Sequence, residues 1–157
     1  MDVHVWGPDA WRVLEDLCSV ATSPRHYVAQ AALIKAIVLL CPCPRCRPSA
    51  RTFIQLIPLQ AIATGQQPAL AWVWRLHNWV NLKLGNPLLQ YCKLQKRLRL
   101  RKLHPAGASV HILRFLGTLG ANSYTFGHSA MLPMLDSMQV LWGGSQPLLP
   151  AKLLQLR

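Results

Sequence analysis

The sequence predicts an all-α fold, a small bundle of four helices followed by a short fifth one. Three observations carry this expectation. Apolar residues recur at spacings of three and four through the first part of the chain, Pro and Gly punctuate those runs, and no pair of alternating strands flanks a tight turn. Four such runs within about 85 residues fit a helical bundle.

The first run opens at Gly7-Pro8-Asp9, which reads as a helix start. Pro8 stands at the first helical position and Asp9 in the first turn, where a carboxylate meets the helix dipole favourably. Trp11, Leu14, Leu17 and Cys18 then mark an amphipathic helix running to about Ala21. Thr22-Ser23-Pro24 is a break and a cap. Beyond it Tyr27, Ala31, Leu33, Ile34, Ile37 and Val38 describe a second, more buried helix that ends before Pro42.

Pro42 and Pro44 force a turn. From Arg45, the spacing of Ala50, Phe53, Ile54 and Ile57 predicts a third helix closed by Pro58, and Thr64-Gly65-Gln66-Gln67-Pro68 reads as a polar loop. A fourth helix from Ala69 places Val73, Leu76, Val80 and Leu84 on one face. Gly85 terminates it and Pro87 lies just beyond. Lys93, Lys96, Arg97, Arg99, Arg101 and Lys102 among leucines give a short fifth helix with a basic, solvated face.

At 157 residues the chain suits one compact core with an appendage. Seventeen Lys and Arg against five Asp and Glu give a formal charge of +12, which favours anionic partners. Fourteen of those cations lie in residues 1–102, so the chain divides into a basic bundle, 1–102, and an apolar extension, 103–157. The extension holds only Arg114, Asp136, Lys152 and Arg157 as charged residues and two weak helical runs, 110–119 and 130–141. It is expected to be partly helical and to cover an apolar surface of the core or extend a dimer interface. No apolar run reaches the length of about 20 residues that a membrane span requires. The amino-terminal residues lack the basic and apolar regions of a secretory signal.

Five cysteines without such a signal fit catalytic, metal-binding or redox use better than a secreted disulfide framework. Cys41, Cys43 and Cys46 fall within six residues. Cys43-Pro44-Arg45-Cys46 places a C-x-x-C pair at a predicted helix start, where free amides, the helix dipole and the cations Arg45 and Arg47 all lower a thiol pKa. A two-residue spacer also lets the disulfide open and close by thiol exchange. Zinc is the competing reading, with Cys41, Cys43, Cys46 and His77 as a Cys3His set. It ranks below redox chemistry because structural zinc usually draws on paired knuckles and only one C-x-x-C is present. Cys18 reads as a small core residue, while Cys41 and Cys92 stay unassigned.

Taken in order, Trp6-Gly7-Pro8 with Trp11, the Pro42-Cys43-x-x-Cys46 segment and His77-Asn78-x-Val80-Asn81-x-Lys83-Leu84-Gly85 resemble the Erv/ALR family of FAD-linked sulfhydryl oxidases, the small viral members most of all. The separation of Cys46 and His77, 31 positions, is close to what that family allows. The resemblance covers residues 5–95. It implies a four-helix bundle with a short fifth helix, working as a homodimer and holding FAD beside the disulfide. Cys43 would be the interchange thiol and Cys46 the flavin-proximal one. Gly7, Pro8, Trp11, Glu15, His77, Asn78, Val80, Asn81, Lys83 and Leu84 would form the cofactor site, with rings for stacking, amides for hydrogen bonds and Lys83 for the pyrophosphate. His77, Asn81 and Leu84 fall on one helical face.

The chain departs from the family in two places: Glu15 stands where a histidine is usual, and Asn86 replaces a common lysine. Residues 47–76 hold no cysteine, so the structural bridge of many members has no partner for Cys92. No amino-terminal shuttle pair is seen either, so substrates are expected to reach Cys43 directly.

The expected function is oxidation of protein dithiols, in a client or a thioredoxin-like carrier, with dioxygen as acceptor and hydrogen peroxide as product. The expected compartment is the cytoplasm of a host cell or the virion, with the mitochondrial intermembrane space as the alternative. Two rivals remain. One is a basic helical module binding nucleic acid through residues 93–102 with a cysteine zinc site; the other is a degenerate oxidase fold used in assembly.

Overall fold

The computed structural model describes residues 3–102 together with Phe115, Met134, Asp136, Ser137, Val140 and Leu141. Five α-helices and one 3-10 turn follow in order: α1 (Val3–Leu17), α2 (Pro24–Leu39), α3 (Cys46–Leu56), the 3-10 turn Leu59–Ile62, α4 (Gln66–Leu84) and α5 (Tyr91–Lys102). Among the described residues there is no strand, in agreement with the all-α expectation. No helix among them is long and apolar enough to cross a membrane.

The helix start read at Pro8 is corrected. α1 begins at Val3, so Pro8 lies inside the helix, and no acidic residue occupies the first turn. Pro8 removes one donor to the carbonyl four residues back. Burial of Trp6 and Ala10, 8% and 7% exposed, keeps the segment helical nevertheless. At its other end α1 stops at Leu17 rather than Ala21 and tightens into a turn of i to i−3 bonds, Cys18 N–H to Glu15 O among them. The buried side chain of Gln30 donates its amide to the Leu17 carbonyl, and Gln66 Nε2 donates to the carbonyls of Ser19 and Ala21 at 3.3 and 2.8 Å. These amides tie the carbonyls at and just beyond the end of α1 to α2 and α4.

Ser23 caps α2, its hydroxyl accepting from His26 N–H at 3.3 Å, and Pro24 takes the first position. α4 starts at Gln66, three residues before the predicted start, and takes in part of the segment read as loop. Its end agrees with the sequence: Gly85 adopts φ 69°, the left-handed cap conformation that a Cβ disfavours. The indole of Trp72 donates to Ile57 O at 2.9 Å and so closes the end of α3.

Leu17, Leu33, Ile34, Phe53, Ile62, Trp72, Val73 and Leu94 fill one hydrophobic core shared by all five helices. Phe115, Met134 and Leu141, from beyond α5, belong to the same core. The two helical runs expected in 103–157 otherwise lie outside the described residues.

Candidate active site

Cys43 and Cys46 are joined as a disulfide with their Cα atoms 5.2 Å apart, Cys46 being the first residue of α3. The helix begins here because Pro44 and Arg45 turn the chain. The amides of Cys46 and Arg47 then donate to Cys43 O at 3.0 and 3.3 Å. The Cys46 N–H also lies 3.1 Å from Cys43 Sγ. A thiolate left on Cys43 would therefore meet an amide at the positive end of a helix, which stabilises it. The disulfide removes two of the four ligands of the zinc alternative.

Arg47 Nε donates to Cys41 O at 3.1 Å and braces the turn. Burial pushes the Cys41 thiol up, against the opposing pull of a hydrogen bond from the Cys43 backbone and of the Arg47 guanidinium. Cys18 is fully buried, donates its thiol to Leu14 O at 3.2 Å, and is pushed up far more strongly, by burial first and then by Glu15 and Asp16. It is an inert core thiol. Cys92 is free and exposed.

The motif-bearing segment of α4 divides among three helix faces, because successive residues turn by about 100°. Trp72, Trp79 and Lys83 face α3. Phe53 packs edge-on to Trp72 with ring centres 5.1 Å apart, and Trp79 Nε1 and Lys83 Nζ both donate to Ser49 Oγ, at 3.0 and 2.7 Å. Lys83 Nζ also stands 4.8 Å from the Trp79 ring centre, within cation–π range. Ser49 lies one turn from Cys46, so these two residues of α4 are fastened beside the disulfide helix.

A second face turns to the loop that follows. Asn78 clamps Leu89, donating Nδ2 to its carbonyl at 3.0 Å and accepting its N–H at 2.7 Å, and Trp74 Nε1 donates to the same carbonyl at 2.6 Å. Asn81 Nδ2 donates to Pro87 O at 3.2 Å. Both asparagines thus hold the backbone between α4 and α5. Sequence spacing gave no sign of this, since a loop backbone offers partners at any position.

His77 takes the third face, toward α1. Its ring stacks on Trp11 with centres 4.0 Å apart and planes 1° from parallel. Beneath the stack Glu15, one turn beyond Trp11, is buried with its side chain 3% exposed. Its carboxylate accepts from Arg97 of α5 at 3.0 Å. Burial, and next the Arg97 guanidinium, lower His77 to about 4, so the imidazole is neutral although Glu15 Oε1 is 3.9 Å from its Nδ1. The sequence pattern places Arg97 only on a solvated basic face; its buried partner lies 82 residues away, which no local pattern reveals.

Of the remaining residues in the expected cofactor site, Gly7 is buried, Pro8 and Leu84 are exposed, and Val80 is half-buried. The structure therefore brings Trp11, Glu15 and His77 into one cluster, and Lys83 into another beside Ser49.

The profile of the Erv1/Alr family matches residues 16–99, more than half of the chain. A protein of Invertebrate iridescent virus 6, 347L, which its name assigns provisionally as an FAD-linked sulfhydryl oxidase, is 28% identical over 107 residues. That alignment covers 63% of this chain and 96% of the viral protein. No solved structure is a significant match to the chain.

Proposed function

The chain belongs to the Erv1/Alr family, and from that premise we propose that it is an FAD-linked sulfhydryl oxidase that makes disulfides in protein dithiols. The observation that carries the proposal is the Cys43–Cys46 disulfide at the start of α3, with the Cys46 amide directed at Cys43 Sγ.

The residues present suit a flavin dinucleotide. The Trp11–His77 stack is a flat, half-buried aromatic surface. Lys83 supplies a cation bonded to Ser49, one turn along α3 from Cys46. Trp11 and His77 would hold aromatic parts of FAD and Lys83 its phosphates, while Asn78 and Asn81 act by fixing the loop after α4. FAD, when bound, supplies the acceptor for two electrons and their delivery to dioxygen as hydrogen peroxide.

The protein's own chemistry is thiol exchange. A client thiolate attacks Cys43 Sγ, the Cys43–Cys46 bond breaks, and Cys46 leaves as a thiolate. A second client thiolate then attacks the client sulfur of the mixed disulfide, so the client leaves oxidised and Cys43 leaves as a thiolate. That leaving group is favoured because the Cys46 N–H stands 3.1 Å from its sulfur. The net result is a client disulfide and a reduced Cys43/Cys46 pair.

The charge of +12 favours an acidic client or carrier. Leu82, Leu84 and Leu88, each at least 60% exposed near the end of α4, offer apolar surface to the second protomer of a dimer. The test is an absorbance spectrum of the purified protein together with incubation with a reduced dithiol protein. A flavin band and Cys43-dependent disulfide formation in the client support the proposal. A colourless protein that leaves the client reduced overturns it.

A further inference from the structure

Three helices place one charged or polar side chain each around a single point: Glu15 from α1, His77 from α4 and Arg97 from α5. Arg97 Nη2 donates to Glu15 Oε1 at 3.0 Å, and His77 Nδ1 lies 3.9 Å from that same oxygen. The contact is too long for a hydrogen bond. Yet Nδ1 is buried and has no other partner among the described residues, and the stack on Trp11 fixes the plane of the ring. Among the described residues, Glu15 from α1 stands 3.9 Å from the imidazole, and the Arg97 guanidinium of α5 lowers its pKa.

A neutral imidazole carries its proton on one nitrogen only. If Nδ1 were bare, its lone pair would face a carboxylate oxygen across a buried gap, an arrangement that both electrostatics and desolvation oppose. With the proton on Nδ1, the ring turns a donor to that oxygen, and a small closure of the gap completes a charge-assisted bond. We propose that Glu15, anchored by Arg97, fixes His77 in its Nδ1–H tautomer and leaves Nε2 as the acceptor for a donor hydrogen of the bound nucleotide.

The assignment rests on the reading of this cluster as part of a flavin dinucleotide site, and it narrows what His77 contacts there. A bare Nε2 accepts from an amine or a hydroxyl and repels a phosphate oxygen. The pyrophosphate is thereby left to cations such as Lys83. Glu15 and Arg97 are positioning residues, since both act through His77. The carboxylate at position 15 then has a use of its own and is more than the loss of an aromatic contact.

The experiment is nitrogen NMR of the flavin-loaded full chain labelled in histidine, with the His77 signals assigned by their loss in His77→Phe. At neutral pH, His77 of the intact protein should show protonated Nδ1 and bare Nε2, in roughly tenfold excess or more over the other tautomer. Glu15→Gln should collapse that preference toward a mixture. Arg97→Gln should keep it and raise the His77 pKa, because the carboxylate then lacks its guanidinium. Arg97→Lys should restore the pKa toward its value in the intact chain.

An Nε2–H tautomer in the intact protein, or an unchanged ratio in Glu15→Gln, overturns the inference. Should Glu15→Gln fail to fold, the tautomer of the intact chain and the pKa change in Arg97→Gln still decide it. A chain that purifies without flavin counts against the proposed function instead, and the tautomer can still be read on that protein.

Discussion

Lys83 and Ser49, 34 residues apart in sequence, are joined by a 2.7 Å hydrogen bond that fastens the last turn of α4 to the first turn of α3. Trp79 Nε1 donates to the same hydroxyl at 3.0 Å. One serine thus holds two residues of the motif helix within a turn of the redox cysteine Cys46.

Replacing Ser49 by alanine removes the acceptor for both donors and leaves the part-buried Trp79 indole without one. The expected cost is about 1–2 kcal/mol, summed over one part-buried bond and one exposed bond. Urea unfolding of Ser49→Ala measures it. An unchanged midpoint would show that Ser49 contributes nothing to fastening the helices.

This fastening also marks how far the sequence could be read. Apolar spacing located four helices and a basic run among leucines the fifth, Ser23 and Gly85 marked two of their ends, and the C-x-x-C pair announced the thiol chemistry. These are local signals, in which the residue and its partner lie within about two turns of each other. The Glu15–Arg97 pair, the Ser49 acceptor and the grip of Asn78 on Leu89 join positions far apart in the chain, and spacing within one helix carries no trace of them. Pro8 misled for a related reason: it reads as a helix start, but burial of Trp6 extends α1 beyond it.

His77 gives the acid limb of stability a defined shape. Its pKa is lowered from 6.5 to about 4 in the folded chain, by burial first and then by Arg97. A lowered pKa means that the unfolded chain takes up the proton first. The stabilising contribution is therefore complete above about pH 6.5 and is lost progressively as pH falls toward 4. Urea midpoints measured across that window should fall more steeply for the intact chain than for His77→Phe, which keeps a ring against Trp11 and has no proton to gain. Parallel curves would rule out His77 as the group responsible.

The free thiols should differ sharply in reactivity. Cys92 is exposed, Cys41 is half-buried with its pKa raised, and Cys18 is buried with its pKa raised much further. Because the thiolate is the reactive form, alkylation of the native protein should label Cys92 first, Cys41 slowly, and Cys18 only after unfolding. Peptide mass mapping over time gives the order, and early labelling of Cys18 would contradict its placement in the core.

Gly85 should tolerate asparagine better than alanine. Its φ of 69° lies where a Cβ is disfavoured, but a Cβ built there meets nothing within 4 Å. The penalty is then one of backbone conformation alone, about 1 kcal/mol for Gly85→Ala and less for Gly85→Asn. Thermal unfolding of the two variants tests this. A much larger loss for alanine would mean that the cap is crowded.

Under the proposed function, electrons enter through the Cys43–Cys46 disulfide and leave to dioxygen through a bound flavin. Oxygen uptake by the purified, flavin-loaded protein with dithiothreitol, compared with Cys46→Ser, tests it most directly. The expected result is steady uptake with formation of hydrogen peroxide by the intact chain, and a fall to the level of free FAD in the variant that keeps its flavin. Uptake that persists undiminished in Cys46→Ser would contradict it.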